Sequence, residues 1–116
     1  KADFPALNYG KGYDNCFMIN DYEAGQLQTA AQLYSPESGR QLEVLTTQPA
    51  VQIYTGNWLE GCPAGKCGRG YHDYEGVAIE CQHCPDSPNK PDYPTTVLRP
   101  GETFSEAIIW AFSVRK

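Results

Sequence analysis

Glu80 is the residue whose surroundings point to chemistry. It lies in Ile79-Glu80-Cys81-Gln82, a short run with apolar residues on its N-terminal side. In an extended strand successive side chains alternate, so Ala78, Glu80 and Gln82 share one face while Val77, Ile79 and Cys81 share the other. A carboxylate displayed on a sheet in this way suits a general base, although an acid inside a short strand is also a common solvated outer-face residue. The other candidates are few. Asp14 follows Gly12-Tyr13, where it is either a turn residue or a hydrogen-bonding acid, and Gln52 sits mid-strand in Val51-Gln52-Ile53-Tyr54. The chain has only two histidines, His72 and His83. His72 lies in Gly70-Tyr71-His72-Asp73-Tyr74, a loop expected to face solvent. His83, three residues beyond Glu80, projects to the opposite strand face and reads as a structural neighbour.

Five cysteines, at 16, 62, 67, 81 and 84, are an odd number and cannot all join a closed disulfide framework. Cys62 and Cys67 flank the turn-forming Pro63-Ala64-Gly65-Lys66, which permits a disulfide in an oxidising compartment. Cys81 and Cys84 with the nearby histidines raise a zinc hypothesis. Strand parity argues against it by placing these two thiols on opposite faces, so no metal site is expected.

The elements that must position these groups are strands. Gln26–Tyr34 alternates, with Leu27, Thr29, Ala31 and Leu33 on one face. The turn Pro36-Glu37-Ser38-Gly39 follows, then Leu42 and Val44 resume the period, which predicts a hairpin. Ala50–Thr55 puts Val51 and Ile53 on one face and Gln52 and Tyr54 on the other. From Phe104 to Val114 the even positions Phe104, Ile108, Trp110, Phe112 and Val114 form an apolar stripe interrupted by Glu106, which predicts a long final strand with a core face. Five prolines, at 85, 88, 91, 94 and 100, make the preceding stretch an extended loop, and no helix is expected. The fold class read from this pattern is all-β, an antiparallel β-sandwich.

Composition sets bounds on partners. Nine basic against 14 acidic residues give a formal charge of −5, which disfavours nucleic acid and anionic membranes and leaves a neutral or polar small ligand. No apolar run reaches the length of a membrane span or a signal sequence. At 116 residues the chain buries only about two-thirds of its unfolded surface, so its core is modest.

Four blocks carry a resemblance to the aldose 1-epimerases, the galactose mutarotase family. Gly12-Tyr13-Asp14-Asn15-Cys16-Phe17 resembles the family's Gly-Tyr-Asp-His block, and Ser35-Pro36-Glu37-Ser38-Gly39-Arg40 its Pro-x-Ser-Gly-Arg stretch. Val51-Gln52-Ile53-Tyr54-Thr55-Gly56-Asn57 is similar to its Gln-x-Tyr-Thr-Gly-Asn strand. Val77–Phe104 is similar to the C-terminal signature in which a hydrophobic residue, Glu, a small residue and Gln lead to an aromatic and Pro-Asp, with Cys84 here replacing the aromatic. The blocks occur in family order over nearly the whole chain, but the family domain is much longer.

The resemblance implies that residues 1–116 are the C-terminal portion of a single galactose-mutarotase-like β-sandwich domain, part of the family's large supersandwich. It implies interconversion of the α and β anomers of aldohexoses such as galactose and glucose, without a cofactor. Glu80 would be the catalytic base, and Asp14 and Gln52 would bind substrate hydroxyls. The family's acid histidine, with a second histidine and an arginine as helpers, has no counterpart in these blocks, and Asn15 stands where the family commonly has histidine. The chain is therefore expected to need partner strands, from a missing N-terminal part, another chain or a second copy, and to be incomplete as an enzyme alone. Cytoplasmic localisation is favoured, with secretion or a periplasmic setting as alternatives. Two other functions stay open. One is a non-catalytic carbohydrate-binding module using Tyr54, Trp58 and Asp14. The other is a hexose-6-phosphate 1-epimerase, which would want clustered basic residues that this acidic chain lacks.

Overall fold

The computed structural model describes residues 5–115. The helix α1 (Pro5–Gly10) is followed by six strands: β1 (Asp14–Met18), β2 (Gln28–Tyr34), β3 (Arg40–Thr46), β4 (Ala50–Tyr54), β5 (Ala78–Gln82) and β6 (Ile108–Val114). These form two antiparallel three-stranded sheets with orders β1-β4-β5 and β2-β3-β6. The all-β expectation holds, with two additions. Pro5 opens α1 at a position where its missing N–H costs nothing, and a 3-10 turn at Ser87–Asn89 interrupts the proline-rich loop after Asp86, which is left-handed at φ 62°. Among the described residues no helix is long and apolar enough to cross a membrane.

The chain divides into two compact units. One takes the residues up to Asn15 together with Gln52–Glu80, and the other takes Cys16–Val51 with residues 81–115. The second contains the predicted hairpin. Gly39 closes its turn at φ 69°, a conformation a side chain rarely adopts, and a Cβ added there would lie 2.5 Å from the Arg115 carbonyl oxygen. β2 and β3 then pair with Leu33 opposite Leu42 and Ala31 opposite Val44.

The register shifts between Thr29 and Ala31, so Ala30 is the extra residue of a bulge. This corrects the uninterrupted alternation expected from Leu27 to Leu33. Thr29 turns to the polar face, where its hydroxyl donates to Glu43 Oε1 at 3.2 Å beside the Gln32 amide at 2.9 Å.

The final strand begins later than its apolar stripe suggested, because two threonines compete for the backbone ahead of it. Thr46 Oγ1 donates to the Ala107 carbonyl (3.1 Å), Thr47 Oγ1 accepts from Ala107 N–H (2.9 Å), and the same hydroxyl donates to Glu106 Oε2. These side-chain bonds hold residues 106–107, and ladder pairing starts at Ile108 opposite Thr46. The stripe itself is not core here. Ile108, Trp110, Phe112 and Val114 are 47–75% exposed, and every residue along β6 is open to solvent, because no other described element covers this face. The buried apolar side chains of this unit are instead Val44, Ala50 and Val51.

Candidate functional site

Asp14, Gln52 and Glu80 all fall in the first unit, on three neighbouring strands. Gln52 is on the central strand β4, Asp14 opens β1 on one side, and Glu80 is mid-β5 on the other. The β1–β4 pairing here is anchored by Thr55 N–H donating to the Tyr13 carbonyl at 3.1 Å. With these strands aligned, Gln52 Nε2 donates to Asp14 Oδ1 at 2.7 Å, so two residues 38 apart in sequence become one bonded pair.

That pair keeps acceptor capacity. Gln52 Oε1 is buried with no hydrogen-bond partner, and Asp14 Oδ2 has none among the described residues. A buried amide oxygen without a donor carries a desolvation cost of roughly 1–3 kcal/mol. Glu80 is exposed, and its carboxylate makes no hydrogen bond or ion pair to another described residue. Glu80 lies on the strand neighbouring that of Gln52, and an unengaged carboxylate is a group able to take up a proton.

The two histidines sit elsewhere. His72 is exposed, and its backbone N–H is tied to Glu75 Oε2 at 3.1 Å. His83 belongs to the second unit, half-buried, with Nδ1 2.9 Å from Gln48 Oε1.

The aromatic residues named for sugar stacking are also engaged. Tyr54 Oη accepts from Trp58 N–H at 3.0 Å, and the Lys11 ammonium lies 3.8 Å from the centre of the Trp58 ring. Lys11 is further paired with Asp73 at 2.8 Å, which holds that carboxyl below its ordinary range, chiefly through the Lys11 hydrogen bond. Arg69 is likewise paired with Glu75 at 2.7 Å.

No cluster of three or more metal-ligating side chains occurs among the described residues, and all five thiols are free. One thiol pairing was invisible in the sequence. Cys16 and Cys84, 68 positions apart, are neighbours in the second unit. Burial, then the Cys84 sulfur, pushes the Cys16 thiol up to about 11. At pH 8 such a thiol holds about 10²-fold less thiolate than an ordinary cysteine, an effect partly offset by the greater nucleophilicity of a more basic thiolate. Cys16 should accordingly be alkylated about ten-fold more slowly by iodoacetamide than the exposed Cys62 and Cys67, as read by peptide mass spectrometry of the native chain. Equal labelling rates would contradict the buried contact.

Comparison with known proteins shows the family. The aldose 1-epimerase family model matches residues 1–110. The chain is 42% identical over 103 residues to galactose mutarotase of Rattus norvegicus and 43% identical over the same length to that of Mus musculus, in each case covering 89% of this chain and 30% of the relative. It is 40% identical over 104 residues to aldose 1-epimerase of Escherichia coli K12, covering 88% of this chain and again 30% of the relative. The chain thus spans less than a third of the length of these relatives, and within that span it belongs to the aldose 1-epimerase family.

Proposed function

We propose that this chain supplies the base half and part of the sugar-binding half of an aldose 1-epimerase site, working on an aldohexose such as galactose or glucose. The observation that carries the reading is the bonded Asp14–Gln52 pair with its unfilled acceptors, in the same three-stranded sheet as the unengaged Glu80, whose strand β5 neighbours the β4 of Gln52. Asp14 Oδ2 and Gln52 Oε1 accept hydrogen bonds from ring hydroxyls and fix the sugar. Glu80 takes the proton of the C1 hydroxyl while an acid protonates the ring oxygen. The C1–O5 bond breaks to give the open aldehyde, C1 rotates about its bond to C2, and the ring recloses on the other face with both protons returned. Neither histidine of this chain is assigned as the acid, which we attribute to the part of the domain corresponding to the remaining length of the relatives.

A phosphorylated hexose has less support, since Lys11 and Arg69 of this unit are already occupied by Asp73 and Glu75. In the complete protein, mutarotation of α-galactose followed by polarimetry should run well above the buffer-catalysed rate. Asp14→Asn should raise KM more than it alters the pH profile, because a group that orients the ligand does not titrate in the reaction. A shifted acidic limb would make Asp14 a proton-transfer group instead, and absence of any acceleration would remove the enzymatic reading.

A further inference from the structure

We infer that Asn57 is a positioning residue for substrate binding, fixing Asp14 through a closed ring of hydrogen bonds on the backbone of Tyr13. The inference rests on the reading of Asp14 as a sugar-binding acid. Asn57 is fully buried although polar. Its Nδ2 donates to the Tyr13 carbonyl at 2.9 Å, and its Oδ1 accepts from Thr55 Oγ1 at 2.6 Å. Thr55 Oγ1 in turn accepts from Tyr13 N–H at 3.0 Å.

A threonine hydroxyl has a single proton. Two oxygens that can only accept lie in reach of it, Asn57 Oδ1 at 2.6 Å and the Tyr13 carbonyl at 3.4 Å, so the shorter bond to Asn57 takes the proton and the hydroxyl's lone pairs face Tyr13 N–H. The amide orientation of Asn57 follows, with oxygen toward Thr55 and nitrogen toward Tyr13. Every polarity in the ring is therefore set, and no member can be replaced by an isostere of opposite character without leaving a buried group unpaired.

The backbone is shaped around this ring. A Cβ on Gly12 would collide with Asn57 Oδ1 and lie 2.8 Å from Thr55 Oγ1, so the chain approaches more closely than any other residue allows. Gly56 delivers Asn57 in a left-handed conformation, φ 68°, and its carbonyl accepts from Tyr74 N–H at 2.8 Å. Both the N–H and the C=O of Tyr13 are thus held, and its C=O belongs to the peptide that carries Asp14. That carbonyl also accepts from Thr55 N–H at 3.1 Å, so loss of the Asn57 donor removes one of its two N–H partners, loosens the Tyr13–Asp14 peptide and lets the carboxylate shift relative to the Gln52 amide. Misplacement of a binding group by about 1 Å can cost about 10²-fold in an enzyme.

The test is a double-mutant cycle in the complete protein, reading KM and kcat for galactose mutarotation. Asn57→Asp keeps the acceptor toward Thr55 but turns the donor facing Tyr13 O into an acceptor. It should raise KM by about ten-fold or more with kcat changed less than about three-fold, and should add little in an Asp14→Ala background, where the group being positioned is gone. Thr55→Val should behave like Asn57→Asp and Thr55→Ser like the wild type, which keeps the test available if the Asn57 variant fails to fold. KM increments of equal size with and without Asp14 would overturn the positioning role while leaving the sugar-binding reading of Asp14 intact. An Asp14→Ala protein with unchanged KM would overturn both.

Discussion

Glu80→Gln in the complete protein should lower the rate of α-galactose mutarotation by about 10²- to 10⁴-fold, the usual cost of losing a positioned acid or base. The substitution is chosen for its geometry. Gln has the shape of Glu and the same place in a strand, so β5 keeps its pairing, and Glu80 has no hydrogen bond or ion pair among the described residues for the change to break. What disappears is the capacity to take a proton from the C1 hydroxyl. A structural defect would lower the melting temperature along with the rate, whereas loss of the base should leave melting unchanged within a degree or two, since an exposed side chain with no partner contributes little to stability. Saturation should also move little, because the proposed sugar-binding groups, Asp14 and Gln52, are left in place. Polarimetry on variant and wild type at matched concentration decides the matter, and activity within a few-fold of wild type would remove Glu80 from the base role.

Much of this arrangement was legible in the residues because strand periodicity and turn chemistry are local. The hairpin joining β2 and β3 could be read from Pro36-Glu37-Ser38-Gly39 between two alternating runs, and Gly39 does adopt the left-handed conformation such a turn needs. β4 and β5 appeared nearly at their expected bounds. The features that escaped are those decided by a residue distant in sequence. The bulge at Ala30 flips Thr29 to the Glu43 face, a consequence of register with β3 that alternation alone cannot reveal. The late start of β6 reflects Thr46 and Thr47, some sixty positions earlier, capturing the backbone at Ala107. The apolar stripe of β6 marks a face built to be covered, but a stripe does not state what covers it.

The same division runs through the candidate site. Asp14, Gln52 and Glu80 were each recognisable from their blocks, yet the bond between Asp14 and Gln52 depends on how β1 and β4 are aligned. Asn57 carried no signal beyond its place in a motif, because a buried asparagine and a surface one look alike in sequence. Burial and its two hydrogen bonds, to the Tyr13 carbonyl and from the Thr55 hydroxyl, are what single it out.

Residues 1–116 alone should give no mutarotation above that of an inert protein at equal concentration. The reaction needs an acid at the ring oxygen as the base acts at the C1 hydroxyl, and the chain has two histidines to offer. His83 lies just past the end of β5, in the second unit, with its Nδ1 engaged with Gln48. His72 lies exposed in the loop that Glu75 and Arg69 organise, away from any regular element. A proton donor must be held within about half an ångström of its productive place, a requirement that an exposed loop with no buried support does not meet. With one of two proton-transfer groups absent, the remaining acceleration falls toward the spontaneous and buffer-catalysed reaction. A clear rate above the control, abolished by Glu80→Gln, would show instead that the acid comes from within these residues or from a second copy. A rate that rises with the square of protein concentration would single out the second copy, with the open edge and apolar face of β6 as the place to look for the contact.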